Sequence, residues 1–200
     1  NNLPLLHYAI HKGGYGLVEY LLNGGTNIEL RGGLYNDTPL ITAAREGSEQ
    51  CCEWLLDRGA DIEAYDDRKT TPLLAAFNGQ HVRVLRLLVK RGANVDACTE
   101  DGSTCLHDAV HKSRYQIIEL LLSAGARVDI KDQVGVTPLD IARIRDDLYM
   151  ISLLEKQLVT TNLSGMISRG LDDRSSFSNF LFEGVYDPRL FLFIAQFAYH

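Results

Sequence analysis

The chain of 200 residues is long enough for one compact domain, or for a repeat array with an appendage. Hydrophobic residues make up 46% and charged residues 23% of it, as is usual for a folded protein in water. No apolar run approaches the roughly 18 residues that a membrane-spanning helix needs, so membrane insertion is not expected. The formal net charge is −6, and neither half of the chain is strongly basic, which argues against electrostatic binding of nucleic acid.

The four cysteines form no Cys-x-x-Cys pair, and no histidine spacing completes a zinc site. Cys98 and Cys105 flank a predicted hairpin and could approach each other, but reduced thiols are the simpler interpretation. We therefore expect an intracellular, cytoplasmic protein, with the nucleus as the alternative. The chain opens with Asn1 rather than Met and partway through a repeat, so we expect that a preceding segment has been removed.

One sequence pattern recurs along most of the chain. The triplet Thr38-Pro39-Leu40 returns at residues 71–73 and 137–139, Cys105 replaces the proline at residues 104–106, and a weaker form begins at Pro4. From residue 4, the steps to residues 38, 71, 104 and 137 are 34, 33, 33 and 33. A glycine followed by a small residue keeps the same spacing at residues 25, 59, 92 and 125. Two landmarks in one register indicate a repeat protein.

The third copy of the pattern, residues 66–98, shows how each unit is expected to fold. Thr71 is placed to cap a helix, and Pro72 occupies the first helical position, where its missing N–H costs little. Apolar residues at helical spacing predict a short helix that Gly79 ends. A second apolar stripe predicts another helix, which begins near Val82 and stops before Gly92. Each unit is thus predicted to be a turn followed by two antiparallel helices.

The pattern D-x-x-G-x-T-P-L-H-x-A-A-x-x-G-H, followed by L-L-L-x-x-G-A, resembles the ankyrin repeat. Residues 132–139, DQVGVTPL, follow it almost letter for letter. The resemblance covers residues 1–158 in five units, at residues 1–32, 33–65, 66–98, 99–131 and 132–158. It implies an all-α ankyrin-repeat solenoid in which each unit contacts only its neighbours, with a short C-terminal helical extension.

Three departures from the pattern are informative. Unit one lacks its hairpin start and its threonine, which is consistent with truncation or with an N-terminal cap. In unit three Lys69 replaces the turn glycine, where a positive φ would cost about 1 kcal/mol. In unit five the second helix, which includes residues 148–154, lacks the closing Gly-Ala, as terminal units of such arrays often do.

Residues 159–200 do not fit the repeat and are rich in aromatic side chains between residues 177 and 199. We predict three short helices there, near residues 162–169, 176–183 and 187–199. The last is apolar almost all round and should be buried. This segment is interpreted as a helical cap on unit five or, alternatively, as a docking tail for a partner or the start of a further domain.

Candidate catalytic and metal-binding patterns are weak. By the resemblance, His7 and His107 tie neighbouring turns together by hydrogen bonds. The run Gly13-Gly14-Tyr15-Gly16 lies on an interhelical turn and lacks the strand and the lysine of a phosphate-binding loop. Carboxylate pairs begin at residues 66, 146 and 172, at positions where Asp favours local hydrogen bonds, and no nucleophile accompanies them. We expect no catalytic, cofactor or metal site, and therefore no enzyme.

By the resemblance, partners bind on the concave face formed by the hairpin tips and the first helices. The positions there that the motif leaves free are the candidate binding residues: Tyr35, Asp37, Arg45, Glu46, Tyr65, Asp67, Arg68, Thr70, Asn78, Glu100, Asp101, Ser103, His111, Lys112 and Arg145. Tyrosine and arginine are enriched in interface hot spots. The mixed charge of this set favours a specific polypeptide over a uniform polyanion.

The sequence therefore predicts a protein–protein interaction module, a scaffold or adaptor that holds a polypeptide partner. One alternative is a substrate-recruitment subunit whose C-terminal tail docks onto larger machinery such as a ubiquitin ligase, although residues 159–200 contain no convincing match to a ligase box. Another is the targeting arm of an enzyme whose catalytic domain lies outside these residues.

Overall fold

The computed structural model describes the backbone of residues 3–168 and the side chains of residues 3–161. The described residues form ten helices and two isolated β-bridges, and no longer strand occurs among them. The helices are α1 Leu5–His11, α2 Tyr15–Asn23, α3 Pro39–Arg45, α4 Glu49–Asp57, α5 Pro72–Asn78, α6 Val82–Lys90, α7 Cys105–His111, α8 Tyr115–Ser123, α9 Pro138–Ile144 and α10 Leu148–Ser168. The chain divides into two compact units, Asn1–Asp146 and Asp147–His200.

The threonine of each triplet starts a helix, as the sequence predicts. The hydroxyl of Thr71 accepts a hydrogen bond from the backbone N–H of Leu74 at 3.4 Å, and Pro72 occupies the first turn. Thr38 caps α3 in the same way. Thr104 and Thr137 form complete capping boxes with the side chains at the third helical position. Such caps satisfy amide donors that a helix cannot satisfy itself.

A left-handed residue turns the chain between the two helices of every unit. Positive φ angles occur there at Gly13 and Gly47, and at three residues that are not glycine, Gln80, Ser113 and Asp146. The hairpin of unit three has the same feature, because Lys69 has a φ of 58°. The prediction that this lysine occupies the place of a turn glycine is confirmed.

Within residues 1–146 the helices pack in two rows. Among the first helices, α1 packs against α3, α3 against α5 and α7 against α9, and among the second helices α2, α4, α6 and α8 pack in sequence. Small residues such as Ala43 and Ala76 are fully buried and let the backbones approach. Leu55, Leu88 and Leu121, at equivalent positions of three units, are also fully buried. The core is therefore continuous from unit to unit through the second helices, as expected for a solenoid.

Residues 148–168 form one helix where the sequence predicts two. The separate helix predicted near residues 162–169 is wrong, because α10 runs without a break from Leu148 to Ser168. No proline interrupts this stretch, and the hydroxyls of Thr160 and Thr161 both donate to the carbonyl of Gln157, which fits them to a helix interior. The helix therefore crosses the proposed boundary after residue 158. The helices predicted near residues 176–183 and 187–199 lie outside the described residues.

Candidate protein-interaction surface

The hairpin tips of units two and three are joined by a stacked pair of side chains. The guanidinium carbon of Arg68 lies 3.5 Å from the centre of the Tyr35 ring, within range of a cation–π interaction. The backbone N–H of Asp67 donates to the carbonyl of Tyr35 at 2.9 Å, and the amide of Asn36 donates to the Asp67 carboxylate at 3.4 Å. Three predicted binding residues, the half-buried Tyr35 and the exposed Asp67 and Arg68, thus form one cluster, named here the Tyr35–Arg68 tip.

Arg31 supports this tip, although the sequence did not single it out. Its guanidinium donates to the carbonyl of Tyr65 at 2.7 Å and to that of Asn36 at 3.3 Å. The ring of Tyr65, another predicted binding residue, remains exposed. The sequence did contain a signal for this role. Arg31 stands directly before a hairpin rich in turn residues, and backbone carbonyls in turns often need a side-chain donor.

Arg45 and Asp37 hold the framework together, which corrects the expectation that they have no structural duty. Nη2 of Arg45 donates to Asp37 at 3.0 Å and to Asp66 at 3.2 Å. Asp66 is almost fully buried and also accepts the backbone N–H groups of Arg68 and Thr70. Burial raises the pKa of Asp37, and the neighbouring Arg45 opposes that rise. Arg45 therefore neutralises two carboxylates that the fold draws out of water.

Thr70 is likewise part of the framework and not of a free surface. Its side chain is buried, its N–H donates to the Asp66 carboxylate at 2.8 Å, and its carbonyl accepts the N–H of Asp66 at 3.2 Å. Asp66 shows the local hydrogen bonding that the sequence predicts for the first Asp of this pair.

The hairpins of units four and five form a second linked pair. The N–H of Gln133 donates to the carbonyl of Asp101 at 3.0 Å. Within unit four, the hydroxyl of Thr99 donates to Asp101, and this bond holds the pKa of Asp101 below its ordinary value. The N–H of Ser103 adds a bond to the same carboxylate at 3.3 Å. Asp101 thus organises its turn, while Glu100 remains exposed.

The candidates at the ends of the first helices are exposed or pair across units. Glu46 accepts a hydrogen bond from Nδ1 of His11 at 2.9 Å. Lys112 pairs with Asp108 at 2.9 Å along its own helix, and Arg145 donates to the hydroxyl of Ser113 at 3.2 Å. Asn78 and His111 are exposed. An exposed ion pair such as Lys112–Asp108 stabilises little, by about 0–1 kcal/mol, so these residues keep freedom to rearrange.

His7 and His107 tie neighbouring units together, as the sequence predicts. Nε2 of His7 donates to the carbonyl of Asp37 at 2.8 Å, and Nε2 of His107 donates to that of Val136 at 3.2 Å. Nδ1 of His107 also accepts the N–H of Thr104, but Nδ1 of His7 is buried without a partner. Burial lowers the pKa of His7, although the Asp37 carbonyl and carboxylate oppose that shift.

The described residues bring together no group of three His, Cys, Asp or Glu side chains that could hold a metal ion. No helix in that part of the chain is long and apolar enough to cross a membrane.

All four cysteines are free, and three of them, Cys51, Cys52 and Cys105, are buried. Burial raises the pKa of the Cys105 thiol to about 12, and it also raises the pKa values of Cys51 and Cys52. Such thiols are poor nucleophiles at neutral pH.

Stacked helical pairs, joined by hairpins and by side-chain bonds from one unit to the next, define a helical repeat protein of the kind that presents an extended surface. The family model described as "Ankyrin repeats (3 copies)" matches residues 1–66 and 63–132, and the chain belongs to the ankyrin repeat family. Ankyrin repeats are protein–protein interaction modules. Unit five lies beyond the match, but its capped helix α9 repeats the geometry of the others.

Two curated relatives share part of the chain. One is the transient receptor potential cation channel subfamily A member 1 homolog of Caenorhabditis elegans, 36% identical over 74 residues, which are 37% of this chain and 6% of that protein. The other is the human ankyrin repeat and SOCS box protein 18, 35% identical over 74 residues, again 37% of this chain and 16% of the relative. The chain therefore aligns with only a small part of either protein.

Proposed function

We propose that this protein is a scaffold or adaptor that holds a segment of a polypeptide partner on the surface formed by its hairpin tips and the ends of its first helices. The observation that carries the proposal is the Tyr35–Arg68 tip. There an arginine is stacked on an aromatic ring, with an exposed tyrosine, Tyr65, on the next hairpin. Pre-ordered arginine and tyrosine side chains lose little entropy on binding, so they suit an interface hot spot.

The chemistry of this surface favours a polypeptide with both charged and apolar groups. The guanidinium of Arg68 covers the face of Tyr35 while its N–H groups point along its own plane, where a carboxylate or a carbonyl can accept them. The exposed Leu34 lies beside Tyr35 and offers an apolar contact. The carboxylate of Asp67 adds an acceptor for partner N–H groups. A uniform polyanion would be repelled by Asp67 and would leave the apolar groups unused.

The experiment is affinity capture with the 200-residue chain and with two charge-reversed variants. Arg68→Glu changes the proposed surface, and Arg83→Glu places the same change on an exposed residue of α6, outside it. Proteins identified by mass spectrometry should be retained by Arg83→Glu and lost with Arg68→Glu. Both variants should stay folded, with unfolding temperatures within about 4 °C of the unchanged chain, because the Arg68–Tyr35 contact stabilises little. Equal retention by both variants would contradict the proposed surface.

A second candidate function is substrate recruitment, in which the repeats hold a substrate and the C-terminal segment docks onto larger machinery. One of the aligned relatives carries a SOCS box in its name, and the aromatic residues between 177 and 199 supply material for docking. Because α10 continues to Ser168, the discriminating variant removes residues 169–200 rather than 159–200. If the tail docks a partner, the shortened chain keeps its unfolding temperature and loses a subset of captured proteins. If the tail is a cap, the unfolding temperature falls.

A further inference from the structure

Unit one exposes apolar side chains at positions that the other units bury. Leu17 is 40% exposed, whereas the equivalent residues Cys51, Val84 and Ile117 are 0%, 0% and 4% exposed. Leu5, at the first position of α1, is 57% exposed, while Pro39 at the equivalent position of α3 is buried. Each unit that buries these positions has another unit stacked before it. The exposed side chains of unit one therefore lie on the side where a preceding unit would stack.

A direct contact shows which way another position of α2, that of Tyr20, points. Tyr20 is 74% exposed, and its equivalent in unit two is Trp54. The Trp54 ring meets the ring of Tyr15 on α2, in the preceding unit, edge to face with the ring centres 6.3 Å apart. A side chain at this position therefore reaches back to the second helix of the unit before it. Tyr20 has the same placement on α2, and no described residue covers it in this way.

A series of hydrogen bonds between successive units ends at the same face. In three successive steps a hairpin carboxylate accepts a backbone N–H of the next unit: Glu29 from Asp61 at 2.8 Å, Glu63 from Asn94 at 2.7 Å and Asp96 from Arg127 at 2.9 Å. Asn27 stands at the position equivalent to Asp61, Asn94 and Arg127. Its backbone N–H donates to no acceptor among the described residues. The series thus ends on a donor that lacks the carboxylate which units two, three and four receive.

We propose that this face of unit one, formed by Leu5, Leu17 and Tyr20 with the N–H of Asn27, is a stacking surface for a further ankyrin-type helical pair whose hairpin carries a carboxylate. The apolar positions require a partner of the same shape as units one to four, because those units cover the equivalent positions of their successors. The exposed N–H of Asn27 is placed to donate to an Asp or Glu at the position equivalent to Glu29, as the N–H groups of Asp61, Asn94 and Arg127 do. This inference concerns the end of the stack and is independent of the hairpin-tip surface proposed above.

The test extends the chain by one unit taken from its own sequence. Residues 66–103 are placed directly before Pro4, which keeps the spacing of the repeat and brings the added copy of Asp96 to the N–H of Asn27. Leu17→Ser is then made in the 200-residue chain and in the extended chain, and urea unfolding is measured for all four proteins. We expect Leu17→Ser to lower the unfolding midpoint at least twice as much in the extended chain. The matched control is Val84→Ser, made at the original Val84 and not in the added copy. This equivalent position is buried in both chains, so the substitution should lower both midpoints alike.

Hydrogen exchange of the Asn27 amide gives a second, independent measurement. It should slow by at least tenfold in the extended chain, and Asp96→Ala in the added copy, which removes the acceptor, should reverse most of that protection. Equal effects of Leu17→Ser in both chains, with unchanged exchange at Asn27, would overturn the proposal.

Two other occupants of the face would also overturn the proposal. Sedimentation could show that the 200-residue chain self-associates and that Leu17→Ser abolishes the association, which would make a second copy the occupant. Alternatively, amide protection of residues 17–21 could be lost on removal of residues 169–200, which would make the chain's own tail the occupant.

Discussion

Replacing Arg45 by methionine should destabilise the protein, even though the sequence places Arg45 among the freely variable surface residues. The substitution keeps most of the aliphatic stem and removes the guanidinium that pairs with Asp37 at 3.0 Å and with Asp66 at 3.2 Å. Asp66 then remains almost fully buried without its cation.

The magnitude follows from how much of the pair is buried. Removing one partner of a fully buried ion pair costs about 3–5 kcal/mol. Here the Arg45 side chain is 35% exposed, and Asp66 keeps the backbone N–H groups of Arg68 and Thr70. The low end of that range, about 3 kcal/mol, is therefore expected. With a urea m-value of about 2 kcal/mol/M, the unfolding midpoint should fall by roughly 1.5 M.

The matched control is Arg68→Met. This arginine is exposed and stacks on Tyr35, and a cation–π contact at an exposed site is worth only about 0.5–1 kcal/mol. Adding Asp66→Asn to Arg45→Met should recover part of the loss, because the buried charge disappears together with its partner. Equal unfolding midpoints for Arg45→Met and Arg68→Met would refute the assignment of Arg45 to the framework.

Two further predictions concern contacts between neighbouring units. His7→Gln should flatten the pH dependence of stability between about pH 7.5 and 5.5. Burial lowers the pKa of His7 in the folded state below the ordinary 6.5, so its stabilising effect is present above pH 6.5 and is lost as the pH falls, when protonation places an N–H at the unpartnered Nδ1. Urea unfolding across that range measures it, and an unchanged slope would show that another group titrates. Gly47→Ala should cost about 1 kcal/mol more than Gly13→Ala by thermal unfolding. Both glycines have a positive φ, but a Cβ at Gly47 meets the His81 ring, which donates to the carbonyl of Arg45 at 3.0 Å, whereas a Cβ at Gly13 meets nothing within 4 Å. Equal costs would mean that His81 moves aside freely.

The fold of residues 1–146 was largely predictable because its signals are local. Thr71 and Pro72 set a helix start through a cap and a fixed φ, and Gly92 ends the second helix, so the positions of these elements follow from the chain alone. The continuous helix α10 was not predicted. The sequence between Leu154 and Ser168 contains threonine, asparagine and glycine, which suggest a break, but none of them forbids a helix as an internal proline would.

The candidate surface was only partly predictable, because sequence position does not reveal which side chains meet. Arg45, Asp37 and Thr70 vary from unit to unit, yet they converge on the buried carboxylate of Asp66 and so belong to the framework. The stacking of Arg68 on Tyr35 joins residues that lie 33 positions apart and depends on how two hairpins sit beside each other. No local pattern encodes that distance.

The bonds between units also decide where binding specificity can change without loss of the fold. Side chains that reach a neighbouring unit, such as Glu63 to the N–H of Asn94 or Arg91 to Asp57 at 2.8 Å, are committed to stacking. In a linear array each such bond stabilises one interface between neighbours, so its loss weakens the coupling of the units on both sides. The exposed side chain of Tyr65 makes no such contact among the described residues. Arg68 reaches the neighbouring unit only through its stack on Tyr35, which at an exposed site is worth about 0.5–1 kcal/mol. Substitutions meant to alter binding at the proposed surface should therefore be placed at these two residues, while Arg45 should be left in place.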